Sequence, residues 1–500
     1  MAVSEVKART YGNWRKPTSP GIAGLGLAGT LVLIVGLILV IISMKISIWL
    51  ALGMAVLLAM GLAPMLLRDA AGRNGLQRGT ARVAWMVGKS GGKHIYRSGP
   101  LGRTPAGTCQ LPGLAAASTL SESEDAHGRP FALLTLPTLN HHTVVISTDA
   151  DGASLVDQDQ VDTWVAHWGN WLSNLAYEPS LVGASVTIEA APDPGTRLNA
   201  EVSRNLSPDA PALARAVLEE VVRTYPSGSA TLTTRVALTY SGAARGRAAR
   251  RSPDEMAEDI GTRLPGLTDS LAMTGAGSAR PMTATDLAEA VRVAYDPTVA
   301  TLVEEARADG GSGLTWDDAG PVATQEFWDG RYRHDGAWSM TWAMFDAPRG
   351  SVFSSVLTSL LLPHPDMVRK RVTILYRPHT PGEAARIVEE DRKNALFKAQ
   401  QAKVEAARDM VAVNATAQAA QEEATGAGLT RFGLVVTATV LDHADLPKAV
   451  SAVVDNLSAP ARIRLRIQKG SAASAFAAAL PIGIVVPHHL RVPQTVRDSM

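Results

Sequence analysis

Gly88-Lys89-Ser90 is the first place in this chain where residue types suggest chemistry, because G-x-x-x-x-G-K-[ST] loops cradle nucleotide phosphates. The first glycine of that pattern would fall at Val83, and the segment follows an apolar run rather than a strand. No apolar strand ending in an acidic partner follows downstream, so a basic juxtamembrane loop is expected here, without nucleotide hydrolysis. His141-His142 and His488-His489 are ligand types, yet neither pair has Cys, His or acidic neighbours at metal-binding spacing. Asp149 and Asp151 sit in a glycine-containing turn that lacks the other ligands of a calcium loop. Glu219-Glu220, Glu304-Glu305 and Glu389-Glu390 fall on predicted helices, where adjacent side chains point apart, and are expected on solvated faces. No nucleophile elbow, Cys–His pair or zinc signature is present. The expectation is a protein that is not an enzyme, with no catalytic residue, no cofactor and no metal.

Aromatic spacing is more informative. Trp164, Trp168 and Trp171 recur at i, i+4 and i+7, so one helix face carries three indoles. Such a stripe serves either as core or as a partner interface, since tryptophan is enriched at binding hot spots. Trp316, Trp328, Trp338 and Trp342 admit the same two readings.

The elements that must position these side chains alternate between strand and helix. Strands are predicted over 131–136, 143–147, 182–189, 231–240, 337–344, 370–375, 433–440 and 462–467. Helices are predicted over 158–176, 211–224, 254–264, 285–294, 352–361 and 446–456, with one long helix, 383–423, rich in Ala, Glu, Lys and Gln. Gly242–Arg251 reads as a flexible loop. This alternation implies an α+β fold with two ferredoxin-like units, 129–320 and 321–500, the long helix being inserted in the second.

Gly21 to Leu67 is apolar except for Lys45. A bilayer core about 30 Å thick needs roughly 20 apolar helical residues, and two such segments fit, Gly21–Met44 and Ile46–Leu67. The run is too long for a signal peptide and predicts a transmembrane hairpin. Lys7, Arg9, Arg15 and Lys16 precede it, and Arg68, Arg73, Arg78, Arg82, Lys89 and Lys93 follow it. Positive flanks stay cytoplasmic, so Lys16, Arg68 and Arg73 are expected to set a multi-pass plasma-membrane topology with both termini inside. Residues 1–20 form the basic N-terminus, and 68–128, rich in Gly, Ser and Pro, reads as a basic linker. A net charge of +1 argues against direct nucleic-acid binding through bulk electrostatics. The one cysteine, Cys109, excludes an intramolecular disulfide framework and suits a reducing compartment.

The stretches "WAMFDAPRGSVFSSVLTSLL", "KRVTILYRPHTPGEAARIVEED", "GLVVTATV", "LPKAVSAVVDNL" and "FAAALPIG" resemble the N-terminal half of type IV secretion and conjugation ATPases. In that family a strand–helix–strand unit, a helical excursion and a closing Leu-Pro-Xaa-Gly, here Leu480-Pro481-Ile482-Gly483, precede the P-loop domain. The apolar hairpin resembles a PrgI-type two-helix subunit, so the whole is similar to a fused integral membrane protein of actinobacterial conjugative elements. No complete P-loop lies in the sequence. The resemblance therefore implies a membrane scaffold that anchors a separately encoded P-loop ATPase beside other membrane secretion subunits, with self-association a further expectation. The alternatives are an EccE-like component of type VII secretion and a membrane-anchored hydrolase or transferase.

Overall fold

The computed structural model describes residues 9–12, 14, 26–66, 69, 72–102, 104–105, 107–150, 152, 155–193, 195–224, 230–243, 249–348, 350–401 and 407–490. Two apolar helices come first, α1 (Gly26–Met44) and α2 (Ile48–Leu66), joined by residues 45–47 and packed against each other. Leu58 of α2 sits directly on Gly36 of α1, where an added Cβ would lie 2.3 Å from it. Of the two, α2 is long and apolar enough to cross a membrane; the sixteen residues Gly29–Met44 form a shorter apolar helix. The Asn74–Gln77 capping box then starts α3 (Gly75–Ser90), which leads to β1 (Ile95–Arg97).

The remainder is mixed helix and sheet, and its order of elements repeats. The first half runs β2 (Thr119–Glu124), β3 (Pro130–Leu136), β4 (His141–Asp149), α4 (Gln158–Asn174) and β5 (Leu181–Pro192). It continues with α5 (Thr196–Asn205), α6 (Ala212–Thr224), β6 (Ala230–Ser241), α7 (Pro253–Leu271), β7 (Ser278–Pro281), α8 (Ala284–Tyr295) and α9 (Ala300–Ala308). The second half runs β8 (Ala323–Glu326), β9 (Arg331–His334), β10 (Ala337–Asp346), α10 (Thr358–Leu361) and β11 (Arg369–Pro378). Then come α11 (Pro381–Gln401), α12 (Ala407–Ala424), β12 (Thr430–Val440), α13 (Leu446–Ser451), β13 (Arg464–Ile467) and α14 (Ala472–Ala478). In each half a helix pair is inserted between the second and third of four equivalent strands.

Among the described residues the strands join one antiparallel sheet in the order β1-β8-β9-β10-β12-β11-β5-β6-β4-β3-β2, with β13 beside β10 and β7 beside β4. Apart from β1, the order is symmetric about the β11–β5 seam, where Thr373 lies opposite Thr187. One face of the sheet carries two apolar layers. Phe131, Ile146, Val186 and Leu238 pack under Met256 and Leu264 of α7 in the first half. Trp342, Val372 and Val436 pack under Leu446 and Val453 in the second. The opposite face carries the third layer, where Leu287 and Val291 of α8 meet Phe476 of α14 and the segment Leu480 to Ile484.

Three expectations change. Residues 68–128 are not a linker, because α3 occupies 75–90 and β1 and β2 both enter the sheet. The long helix over 383–423 is instead α11 and α12 packed on each other, with residues 402–406 outside the described set. His379 N–H donates to the Leu429 carbonyl at 2.9 Å, so the excursion returns to its own base. The stretch 352–361 is a 3₁₀ turn followed by the four-residue α10 rather than one α-helix.

Candidate functional site

The seam between the halves gathers a group of buried charge. Across it Glu189 of β5 lies directly opposite Arg371 of β11. Arg371 donates from Nε at 2.9 Å and from Nη2 at 2.7 Å to Glu189 Oε2, and Arg369 Nη1 donates to Oε1 at 2.6 Å. Burial alone would raise the Glu189 carboxyl; Arg371, Arg369 and Arg235 outweigh it and hold it at about 2. Arg235 of β6 has a buried Nε without a hydrogen-bond partner, while its Nη1 donates to Thr233 Oγ1 at 3.2 Å. Burial pushes its guanidinium below the usual range, against Glu189 and with help from the like charges of Arg371, Arg307 and Arg369.

Glu189, Arg235 and Arg369 wall a cleft of about 270 Å³ closed on the other side by α8 and α9, where buried Glu289 pairs with Arg307 and accepts from Ser312 Oγ at 2.5 Å. Glu304, expected on a solvated face, is half-buried at this cleft. Chemically the cleft is a set of guanidinium–carboxylate pairs, and its lining holds no Ser, Cys or His nucleophile–base couple. A buried pair of this kind specifies how two elements meet more than it adds stability. Here it joins β5 of one half to β11 of the other.

A second device crosses the same seam. Residues 479–483 run over the sheet without regular structure, and their carbonyls still find donors: Thr373 Oγ1 reaches Ala479 O at 2.8 Å and Thr239 Oγ1 reaches Gly483 O at 2.7 Å. Each of those threonines pairs with another across the sheet, Thr373 with Thr187 at 3.2 Å and Thr239 with Thr143 at 3.0 Å. Further along, Ser339–Thr439 and Thr341–Thr437 continue the row of hydroxyls at 2.7 and 3.0 Å. Satisfying the carbonyls in this way is what allows an irregular strap to be buried. Gly483 has φ +64°, and a Cβ there would lie 2.2 Å from Thr239 Oγ1 and 2.6 Å from Thr143 Cγ2. The closing glycine of Leu480-Pro481-Ile482-Gly483 is thus required twice, by its backbone angle and by contact with the sheet.

The tryptophan stripe on α4 points inward. Trp171 is 3% exposed and donates from Nε1 to Leu267 O at 3.4 Å. Trp168 stacks on it at 5.1 Å and meets Tyr376 of β11 edge-on at 5.9 Å, so α4 also bridges the seam. Trp164 lies against Gly275. Trp164 and Trp168 are each half-exposed. Among the other tryptophans, Trp342 is fully buried in the second-half core, Trp316 donates to Ser118 Oγ at 3.1 Å, and Trp338 stacks on Phe327. Trp328 meets Trp85 of α3.

The two histidine pairs, 347 residues apart, come together: His141 Nε2 and His488 Nδ1 are 3.2 Å apart. Burial, then the proximity of His488, His489 and His142, pushes His141 down to about 3. His142 is pushed down to about 4 by burial and by Arg251 and Arg250. Among the described residues no three His, Cys, Asp or Glu side chains are grouped to hold a metal. Gly88-Lys89-Ser90 forms the last turn of α3, and Lys89 and Ser90 are exposed there. Asp149 ends β4 exposed, and Glu389 and Glu390 pair with Lys393 and Arg386 on the surface of α11. Arg73 N–H donates to Asp69 Oδ1 at 2.9 Å; Lys16, Arg68 and Asp151 lie outside the described residues.

Sequence reasoning missed Glu189, Arg235, Arg369 and Arg371. The available signal was charge inside otherwise strand-like runs, an inward-facing ionic residue being costly unless paired. A sequence family described as a domain of unknown function, DUF8461, matches residues 18–77, which take in α1 and α2 and reach the start of α3. No curated protein matches the chain.

Proposed function

We propose that this chain is a non-catalytic membrane scaffold of a conjugation-type secretion apparatus. In this reading α1 and α2 are a transmembrane hairpin, and each half of the sheet is a ferredoxin-like unit that presents docking surface to a separately encoded P-loop ATPase. The observation that carries the anchoring is the apolar surface of α1 and α2 that the rest of the chain leaves uncovered: Ile38, Leu57 and Met60 are 50–67% exposed and Trp49 is 78% exposed. Continuous apolar surface on that scale needs a covering phase, and Lys45 is the one charge between Gly26 and Leu66. Basic residues on both flanks put the two termini in the cytoplasm.

The ferredoxin-like reading rests on the strand orders β5-β6-β4-β7 and β11-β12-β10-β13, each from a βαββαβ succession. The helix pairs α5–α6 and α11–α12 extend both units at equivalent positions and keep Leu213, Val217, Phe397 and Val411 exposed. A tether at the membrane raises the effective concentration of such surfaces, so modest contacts recruit a soluble motor.

Alkaline extraction of native membranes, followed by affinity purification of the tagged, detergent-solubilised protein after crosslinking, tests the proposal. Retention in the alkaline pellet and co-purification of a P-loop ATPase with other secretion subunits are expected. Release by alkali removes the anchor. Recovery of a type VII core complex, or of the chain alone, removes the conjugation scaffold.

A further inference from the structure

We infer that α3 lies flat on an anionic lipid surface, so that the chain has an interfacial helix at the cytoplasmic leaflet beside its anchor. The inference rests on the membrane-anchored reading above. With 3.6 residues per turn, Leu76, Val83 and Val87 fall on one line along α3, and Met86 lies at its edge. These four are 48, 56, 66 and 54% exposed, in that order, although the helix belongs to a chain with three large buried layers.

Half a turn away, α3 is occupied. Trp85 lies 6.1 Å from Trp328 and 6.2 Å from His94, and the Arg82 guanidinium sits 5.7 Å over the Trp328 ring. The sheet domain therefore holds one side of α3 and leaves the apolar side facing away from it. That apolar side is continuous with the end of the anchor. An added Cβ at Gly75 would lie 3.0 Å from Pro64 O of α2, and Pro64, Leu76, Thr80, Val83 and Ala84 line one groove.

Charge names the occupant. From Ala70 to Ser121 the chain contains no Asp or Glu, but it contains Arg73, Arg78, Arg82, Lys89, Lys93, Arg97 and Arg103. Arg78, Arg82 and Lys89 are exposed about 120–160° round the helix from the apolar line, on the side of Trp85, and Arg78 also pairs with Asp69 at 3.9 Å. An apolar stripe opposed by a basic face is the pattern of helices that bury one side at the headgroup–acyl boundary of anionic membranes. A protein partner with an apolar groove would not account for the continuity with α2 or for a segment free of acids.

The single native cysteine allows a direct test. In a Cys109→Ser background, spin labels are placed one at a time at Val83→Cys and Val87→Cys, at Lys89→Cys on the basic side, and at Leu57→Cys on α2. The full chain is reconstituted into phosphatidylcholine vesicles with and without a quarter phosphatidylglycerol. Labels at positions 83 and 87 are expected to be open to oxygen and shielded from a water-soluble nickel chelate, position 89 the reverse. Removing phosphatidylglycerol, or combining Arg78→Gln with Lys93→Gln, should weaken the shielding at 83 and 87 several-fold and leave position 57 unchanged. Nickel access at 83 and 87 equal to that at 89, with position 57 still in lipid, overturns the inference alone. Nickel access at position 57 overturns the anchored reading and this inference with it.

Discussion

The two halves of the sheet share an order of elements and a strand order, yet they are not interchangeable. The first half closes its lower face with two long helices of its own, α4 and α7, the latter burying Met256, Ile260 and Leu264. The second half uses the short α10 and α13 for the same purpose, and the segment 479–483 after α14 leaves its own strands to lie across β6 and β4 of the first. One half therefore completes the other's core. A duplicated fold can be locally symmetric in its strands and still depend on a one-way connection, because a strap can satisfy its backbone only where hydroxyls await it.

Breaking the seam should have the largest effect. Glu189→Gln leaves Arg371, Arg369 and Arg235 buried without their counter-charge and should cost about 3–5 kcal/mol. Chemical denaturation of the detergent-solubilised protein would measure this; a change below about 1 kcal/mol would mean that the halves are registered by the threonine pairs instead. Gly483→Ala tests the one-way strap. Its positive φ and the contacts with Thr239 and Thr143 should cost about 2–4 kcal/mol, and proteolysis should then cut the first half preferentially. Gly382, with open space around it and an ordinary φ, is the control, and Gly382→Ala should stabilise by up to about 1 kcal/mol.

A further test is a pH slope shared by both halves. His141 at about 3, His142 at about 4 and His334 at about 4 are all held neutral mainly by burial, His334 between Tyr295 O and Ser339 Oγ. An unfolded chain takes up these protons near pH 6.5, whereas the fold resists them to about pH 4 or below. Stability should thus fall as pH drops from 6.5 towards 4. Glu189 adds its own loss only between about 4.5 and 2. A melting temperature that is flat from pH 7 to 5 would contradict the buried neutral state, and His334→Gln should reduce the slope in that window.

Much of the secondary structure was legible. Alternation marked β3, β4, β5, β6, β10, β11 and β12 within a few residues, and helical spacing marked α4, α6 and α8. The helix α3 was not, because Gly75, Gly79 and Gly88 give it the look of a linker while its stripe, Leu76, Val83 and Val87, is thin. The two-helix excursion was read as one because Ala, Glu and Lys favour helix throughout and carry no mark for where it folds back. Of the candidate site, the closing Leu-Pro-Xaa-Gly was legible as a motif, and the buried arginines were not.

Taken alone, the sequence determined what local periodicity and composition can determine. It specified two apolar helices bracketed by basic residues, strands and helices in alternation, and a chain without dense charge of either sign. Only the tertiary structure decided that Glu189 would meet Arg371, that Thr239 would hold Gly483, and that His141 would reach His488. Those partners are separated by 182, 244 and 347 residues. No local propensity spans such distances; the pairing of β5 with β11 and the path of the strap over it set them, because only that register buries each charge against its opposite and each carbonyl against a donor.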